Sequence, residues 1–170
     1  CVIVEPIQGE AGIIVPKKVT PTLKLGEEQL PLAREAANFL QLLRKRCNET
    51  GALLIFDEIQ TGMGRTGTLF AFEKYKVIPD ILCLAKAFGG GMPLGAFISS
   101  KEIMLRLSQH PVLGHITTFG GHPLSCVAGM EVFKQVKNQK SKIKKKEKFF
   151  KKLLVHPRIN EVRGEGLLLA

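Results

Sequence analysis

Four short, largely apolar runs, 2–5, 53–56, 81–84 and 96–99, each bounded by glycine, proline or charge, constrain this chain more than any other feature. Runs of this length suit buried strands and are too short for buried helices. Between or after them, apolar residues recur at helical spacing over 27–49, 101–109, 124–138 and 142–154, with Ser100 placed to cap one helix and Pro111 to stop it. Strands that alternate with helices are joined by crossovers, so the expected class is α/β, a mainly parallel sheet with flanking helices. Residues 17–36, rich in Lys, Thr, Pro, Gly and Glu, interrupt the pattern and read as an inserted surface excursion. The expected organisation is one incomplete domain over 1–157, with 158–170 opening a second, smaller one. Cys1 leads straight into a strand pattern and 166–170 stop inside an apolar run, so both ends read as cut from a longer chain.

At 170 residues, 45% hydrophobic and 24% charged, the chain has enough apolar material to bury a core and is not compositionally disordered. No apolar run reaches the roughly 18 residues that a spanning helix needs. Cys1, Cys47, Cys83 and Cys126 stand singly, without the pairing of a zinc site or disulfide scaffold, and the four histidines show no metal-binding spacing. A reducing compartment, the cytoplasm or an organelle, is expected, with no metal.

The net charge of +10 is concentrated, since 134–152 hold ten lysines and one glutamate and all other residues together contribute only +1. Val132, Phe133, Val136, Ile143, Phe150, Leu153 and Leu154 form an apolar stripe through this region, which leaves the lysines on solvated helix faces. No stacking aromatics or arginines interleave with them, so neither nucleic acid nor membrane is an expected partner.

Ligands of open α/β sheets sit beyond the carboxyl ends of the strands. Two charged residues occupy such ends: Asp57 directly after 53–56, and Lys86 one alanine after 81–84. Either alone is accounted for by a solvent-facing charge. Together in one crevice they suit pyridoxal 5'-phosphate, which needs an amine for its aldehyde and an acid beside its ring nitrogen.

Four segments then resemble one family. Glu5-Pro6-Ile7-Gln8-Gly9-Glu10, Phe56-Asp57-Glu58-Ile59-Gln60-Thr61-Gly62, Leu84-Ala85-Lys86-Ala87-Phe88-Gly89-Gly90-Gly91 and Thr117-Thr118-Phe119-Gly120-Gly121-His122-Pro123 are similar to the motifs of class III pyridoxal-phosphate-dependent aminotransferases, in the family's order. The resemblance implies part of the large domain of fold type I. It implies an amino group moved between a small-molecule amine or amino acid and an oxo-acid acceptor, through a Schiff base on Lys86. Asp57 would pair with the ring nitrogen, Gln60 would reach the ring hydroxyl, and Thr118 would bind the phosphate from the neighbouring subunit of a homodimer. Glu10, in ornithine-type members, would pair with a substrate-gating arginine beyond Ala170, and Glu5 would line the same pocket. Both glutamates could instead cap backbone amides. The 170 residues by themselves are expected to be inactive.

Two other classes match parts of the sequence. Gly62-Met63-Gly64-Arg65-Thr66-Gly67, with Asp80 downstream, fits a dinucleotide fingerprint, although five residues separate its first glycine from the strand. The acidic pair Asp57-Glu58 after an apolar run fits a metal-binding strand of a nucleoside triphosphatase, without the companion phosphate loop. A non-catalytic remnant of an aminotransferase is the remaining alternative.

Overall fold

A computed structural model of the chain describes residues 1–19, 37–109, 111, 112 and 114–170. The element order is β1 (Val2–Val4), β2 (Lys18–Val19), β3 (Ala37–Asn38), α1 (Phe39–Thr50), β4 (Leu54–Asp57), α2 (Ala71–Tyr75), β5 (Ile81–Leu84), a 3-10 turn (Lys86–Gly89), β6 (Ala96–Ser99), α3 (Lys101–Gln109), α4 (Pro123–Lys137), α5 (Lys140–Leu153), β7 (Gly164–Glu165) and β8 (Leu168–Leu169).

The main sheet has four strands in the order β1-β4-β5-β6. The pairs β1–β4 and β4–β5 are parallel and β5–β6 is antiparallel, in agreement with the mainly parallel expectation. Phe56 pairs with Leu82 in register, which turns Leu54, Phe56, Leu82 and Leu84 to one face. That face is the core: Leu54 and Phe56 are fully buried, packed with Ile7, Leu40, Cys47, Ala71, Tyr75 and Val77 from the surrounding loops and helices. Burial of side chains of this size contributes roughly 1.5–3 kcal/mol each.

Helix α1 starts at Phe39 because Asn38 caps it: its side chain accepts from the Leu40 amide at 2.8 Å, while Gln41 accepts from the Asn38 amide at 3.1 Å. Gly51, at φ +69°, ends it in the left-handed region. The helical pattern expected over 27–49 is thus realised from 39 onward. Ala37–Asn38 are instead a short strand antiparallel to β2, and the remainder, with most of the insertion expected at 17–36, lies outside the described residues. Arg44 of α1 meets Asp80 at 2.7 Å, and the same carboxylate accepts from the Leu54 amide. Burial pushes the Asp80 carboxyl up, but the Leu54 amide and the Arg44 guanidinium together hold it below the usual carboxylate range.

The lysine-rich region is helical, as its apolar stripe predicts. Ile143 of α5 and Val136 of α4 pack toward Gly64, while the lysines among 144–148 and Lys152 follow the outer faces. None of the helices among the described residues is long and apolar enough to cross a membrane.

Candidate active site

Strands β4 and β5 are adjacent, parallel and in register, with Asp57 opposite Cys83. The two strands therefore end at one edge of the sheet, and Lys86, three positions beyond Cys83, opens the turn that leaves it. Adjacent strands lie about 4.8 Å apart, so Asp57 and the turn that Lys86 opens leave the sheet from adjacent strand ends. One oxygen of Asp57 accepts the Ile59 amide at 3.0 Å, which fixes the carboxylate and leaves its other oxygen without a hydrogen bond to the described residues. Lys86 is exposed and takes φ +52°, a left-handed backbone that costs a residue with a Cβ about 1–2 kcal/mol. The Ala85 carbonyl accepts from the Phe88 amide at 3.1 Å and holds the turn closed.

Positive φ recurs around this edge. Among non-glycine described residues it occurs at Ile13, Met63, Lys76 and Lys86, and Ile13 and Met63 lie in the loops that carry Glu10 and Gln60. Strain held in this way clusters at functional sites.

Gln60 reaches Glu10 from the loop after β4, its side-chain nitrogen donating at 2.7 Å. Gly9 makes the approach possible, because a Cβ there would stand 2.5 Å from the Gln60 amide oxygen. One of the two Gln60 N–H donors remains for a ligand. Glu5 accepts the Gly9 amide at 2.9 Å through one oxygen, a local contact of the capping kind. Thr118 is not brought to the other candidates. It lies on an exposed stretch between Ile116 and Phe119, and no hydrogen bond among the described residues joins it to Asp57, Gln60 or Lys86.

The two nucleotide readings do not fit. Residues 62–67 are turns rather than a helix start, and α2 begins only at Ala71. Asp80 stands at the opposite end of the sheet, on the amide of the first residue of β4. Glu58, which would pair with Asp57 on a metal, is 1% exposed and fully committed. It accepts the amides of Ala71 at 2.6 Å and Phe72 at 2.8 Å and the Thr61 hydroxyl at 3.1 Å. Burial pushes its carboxyl up, against the pull of these donors.

Within the aminotransferase reading, the sequence motifs assign no role to this buried carboxylate, which supports the loop carrying Gln60, nor to two arginines. Arg65 donates to the carbonyls of Ile59 at 3.2 Å and Gln60 at 3.1 Å. Arg163 donates to the Gly12 carbonyl at 3.0 Å. The only sequence signal was position: Glu58 follows Asp57 directly, and Arg65 sits within the glycine run.

The donor set fits pyridoxal phosphate at its reactive end. A carboxylate with a free oxygen and an exposed amine share one strand-end edge, and a neutral amide donor stands nearby. The phosphate end is not completed by these residues.

Comparison with known proteins gives the class. The family model for class-III aminotransferases matches residues 32–170, and the chain belongs to that family. It is 43% identical over 176 residues to the acetylornithine aminotransferase of Clostridium acetobutylicum, covering 99% of this chain and 40% of that protein. With the putrescine aminotransferase of Pectobacterium atrosepticum it shares 50% identity over 130 residues, 76% of this chain and 24% of that protein. An ornithine aminotransferase structure from Toxoplasma gondii, with pyridoxal phosphate partly occupying its active site, superposes with a TM-score of 0.75 at 33% identity, covering 97% of this chain and 36% of that one. The fold is therefore part of an aminotransferase fold, and the chain spans about 40% or less of the length of these relatives.

Proposed function

We propose that this chain carries the cofactor-lysine half of a pyridoxal-phosphate-dependent transaminase. The observation that carries the reading is the register of β4 and β5, with Asp57 opposite Cys83 and Lys86 opening the next turn. Pyridoxal phosphate, when bound, supplies an aldehyde that condenses with amines and a protonated ring that draws electrons from the substrate carbon. Lys86 is the residue that holds it covalently. With the cofactor bound, the Lys86 Nζ would be the base that takes the proton from the donor's carbon and the acid that returns it. The free oxygen of Asp57 would pair with the ring nitrogen and hold its proton. Gln60, which holds Glu10, would donate its spare N–H to the ring hydroxyl.

The substrates are a small-molecule amino donor and an oxo-acid acceptor. Exposed Thr118, without a partner from the other candidates among the described residues, supplies the phosphate contact to a second copy in a homodimer. A single 170-residue chain is therefore inactive. Within it, 1–157 form the incomplete cofactor domain and 158–170 open the smaller one.

The test uses the complete polypeptide loaded with pyridoxal phosphate, reduced with borohydride and mapped by peptide mass. The expected label is on Lys86. A label on another lysine, or bound cofactor that borohydride does not fix, overturns the assignment.

A further inference from the structure

The Glu10–Gln60 hydrogen bond joins two loops, and each loop is held from the same direction. Arg163 donates to the Gly12 carbonyl and so braces the turn that presents Glu10. Arg65 bonds the carbonyls of Ile59 and Gln60 and so braces the loop that presents Gln60. The two arginines are themselves connected. Leu167 donates its amide to the Arg65 carbonyl at 2.7 Å, and Arg163 exchanges backbone hydrogen bonds with Ala170 at 2.7 and 3.0 Å. One short hairpin, β7 and β8, therefore touches both carriers of the substrate-side pair.

The hairpin is also anchored from behind. Lys74 of α2 meets Glu165 at 2.5 Å, the Tyr75 hydroxyl donates to the same carboxylate at 3.1 Å, and Lys151 of α5 donates to the Gly164 carbonyl at 3.2 Å. Gly166, at φ +62°, lets the hairpin press against the glycine run, since a Cβ there would collide with the Arg65 carbonyl and the backbone of Thr66. Fixed at the back and bonded at the front to two loops, the hairpin can shift neither loop without shifting the other.

We propose that residues 163–170 are a positioning element for the substrate-side pair, acting through Arg163 on the Glu10 turn and through Leu167 and Arg65 on the Gln60 loop. It sets how Glu10 is presented to the amino donor and leaves Lys86, on its own turn after β5, unaffected. Arg163 and Arg65 are positioning residues, acting through Gly12 and through the Ile59 and Gln60 carbonyls. The inference rests on the transaminase reading for its kinetic consequence, but the mechanical coupling stands apart from it.

Two variants of the complete polypeptide separate the arms. R163Q removes the donor to Gly12 on the Glu10 side, and G166A forces the hairpin off Arg65 on the Gln60 side. Amide hydrogen exchange without cofactor is followed in 9–14 and 59–62. Coupling requires each variant to speed exchange in both segments; R163Q loosening only 9–14, or leaving both unchanged, overturns the proposal. Should G166A fail to fold, the R163Q result decides alone. With cofactor bound, and with putrescine and N-acetylornithine as donors, R163Q is expected to raise the donor KM roughly tenfold, as the loss of a positioning hydrogen bond implies, with kcat changed less than about twofold. A fall in kcat at unchanged KM overturns the positioning role. If the unaltered protein attaches no cofactor at Lys86, the transaminase reading has failed, and the exchange experiment still decides the coupling.

Discussion

Asp57 and Cys83 stand side by side across the parallel strands β4 and β5, and the carboxylate acts on the thiol. Burial pushes the Cys83 thiol up, and the negative charge of Asp57 pushes it further. The thiolate is the reactive form, so Cys83 is expected to alkylate slowly at pH 8 in the cofactor-free protein. Asp57→Asn removes the charge and leaves the burial, so the pKa falls part of the way back. The rate of iodoacetamide labelling at Cys83, followed by peptide mass, should rise by less than about tenfold. An unchanged or slower rate would show that the carboxylate does not act on the thiol.

Lys86 links function to backbone strain. Lys86→Ala and Lys86→Gly both remove the amine and should abolish covalent attachment of the cofactor, with kcat lower by at least roughly 100-fold. They should differ in stability. At φ +52° alanine keeps the Cβ that makes the left-handed region costly, whereas glycine does not. The glycine variant should be about 1 kcal/mol more stable than the alanine variant by urea unfolding of the cofactor-free protein. Equal stabilities would mean that the turn relaxes once the lysine is gone.

Glu58 and Asp80 oppose one another in their dependence on pH. Glu58 has a folded-state pKa raised by burial, so its ionised form penalises the fold above that value, and stability from this group is gained as pH falls through it. Asp80 is held low; its contribution is present above the unfolded-chain value and is lost as pH falls through the folded one. Asp80→Asn should therefore flatten the loss of stability below about pH 4, the unfolded aspartate value. Thermal melts across pH 3 to 7 give the comparison, and parallel profiles for the two proteins would contradict it.

Replacement of Glu58 itself should be costly for a reason other than charge. Its two oxygens accept two amides and a hydroxyl, and in either orientation Glu58→Gln must turn an NH2 toward the amide of Ala71 or Phe72, which has no acceptor to offer. A loss of about 1–3 kcal/mol is expected, in the range for an unsatisfied buried donor. Circular dichroism melts of the two proteins measure it directly.

Much of the scaffold could be read from short apolar runs. Strands Ile81–Leu84 and Ala96–Ser99 and helix Lys101–Gln109 have the expected bounds. The run at 53–56 forms a strand one residue later, because Leu53 is 38% exposed and gives only its carbonyl to Val2, while Asp57 completes the pairing with Cys83. Asp57 is thus the last strand residue rather than the first of the loop. Helix α2 was missed, since five residues carry no periodicity and its start is held by a carboxylate 13 residues upstream. Asp57 and Lys86 were legible because strand ends are legible. The link from Gln60 to Glu10, 50 residues apart, and the work of Arg65 and Arg163 were not, because they depend on loops meeting in space.

Because nearly all of the net charge lies in one helical run, the isoelectric point near 9.6 describes α5 and its approach rather than the molecule as a whole. The other residues together carry only about +1, so the basic character is local to that run rather than spread along the chain. On a cation-exchange matrix it would be retained through those lysines. Acetylation of those lysines would shift its mobility in an electric field by more than any change at the sheet edge.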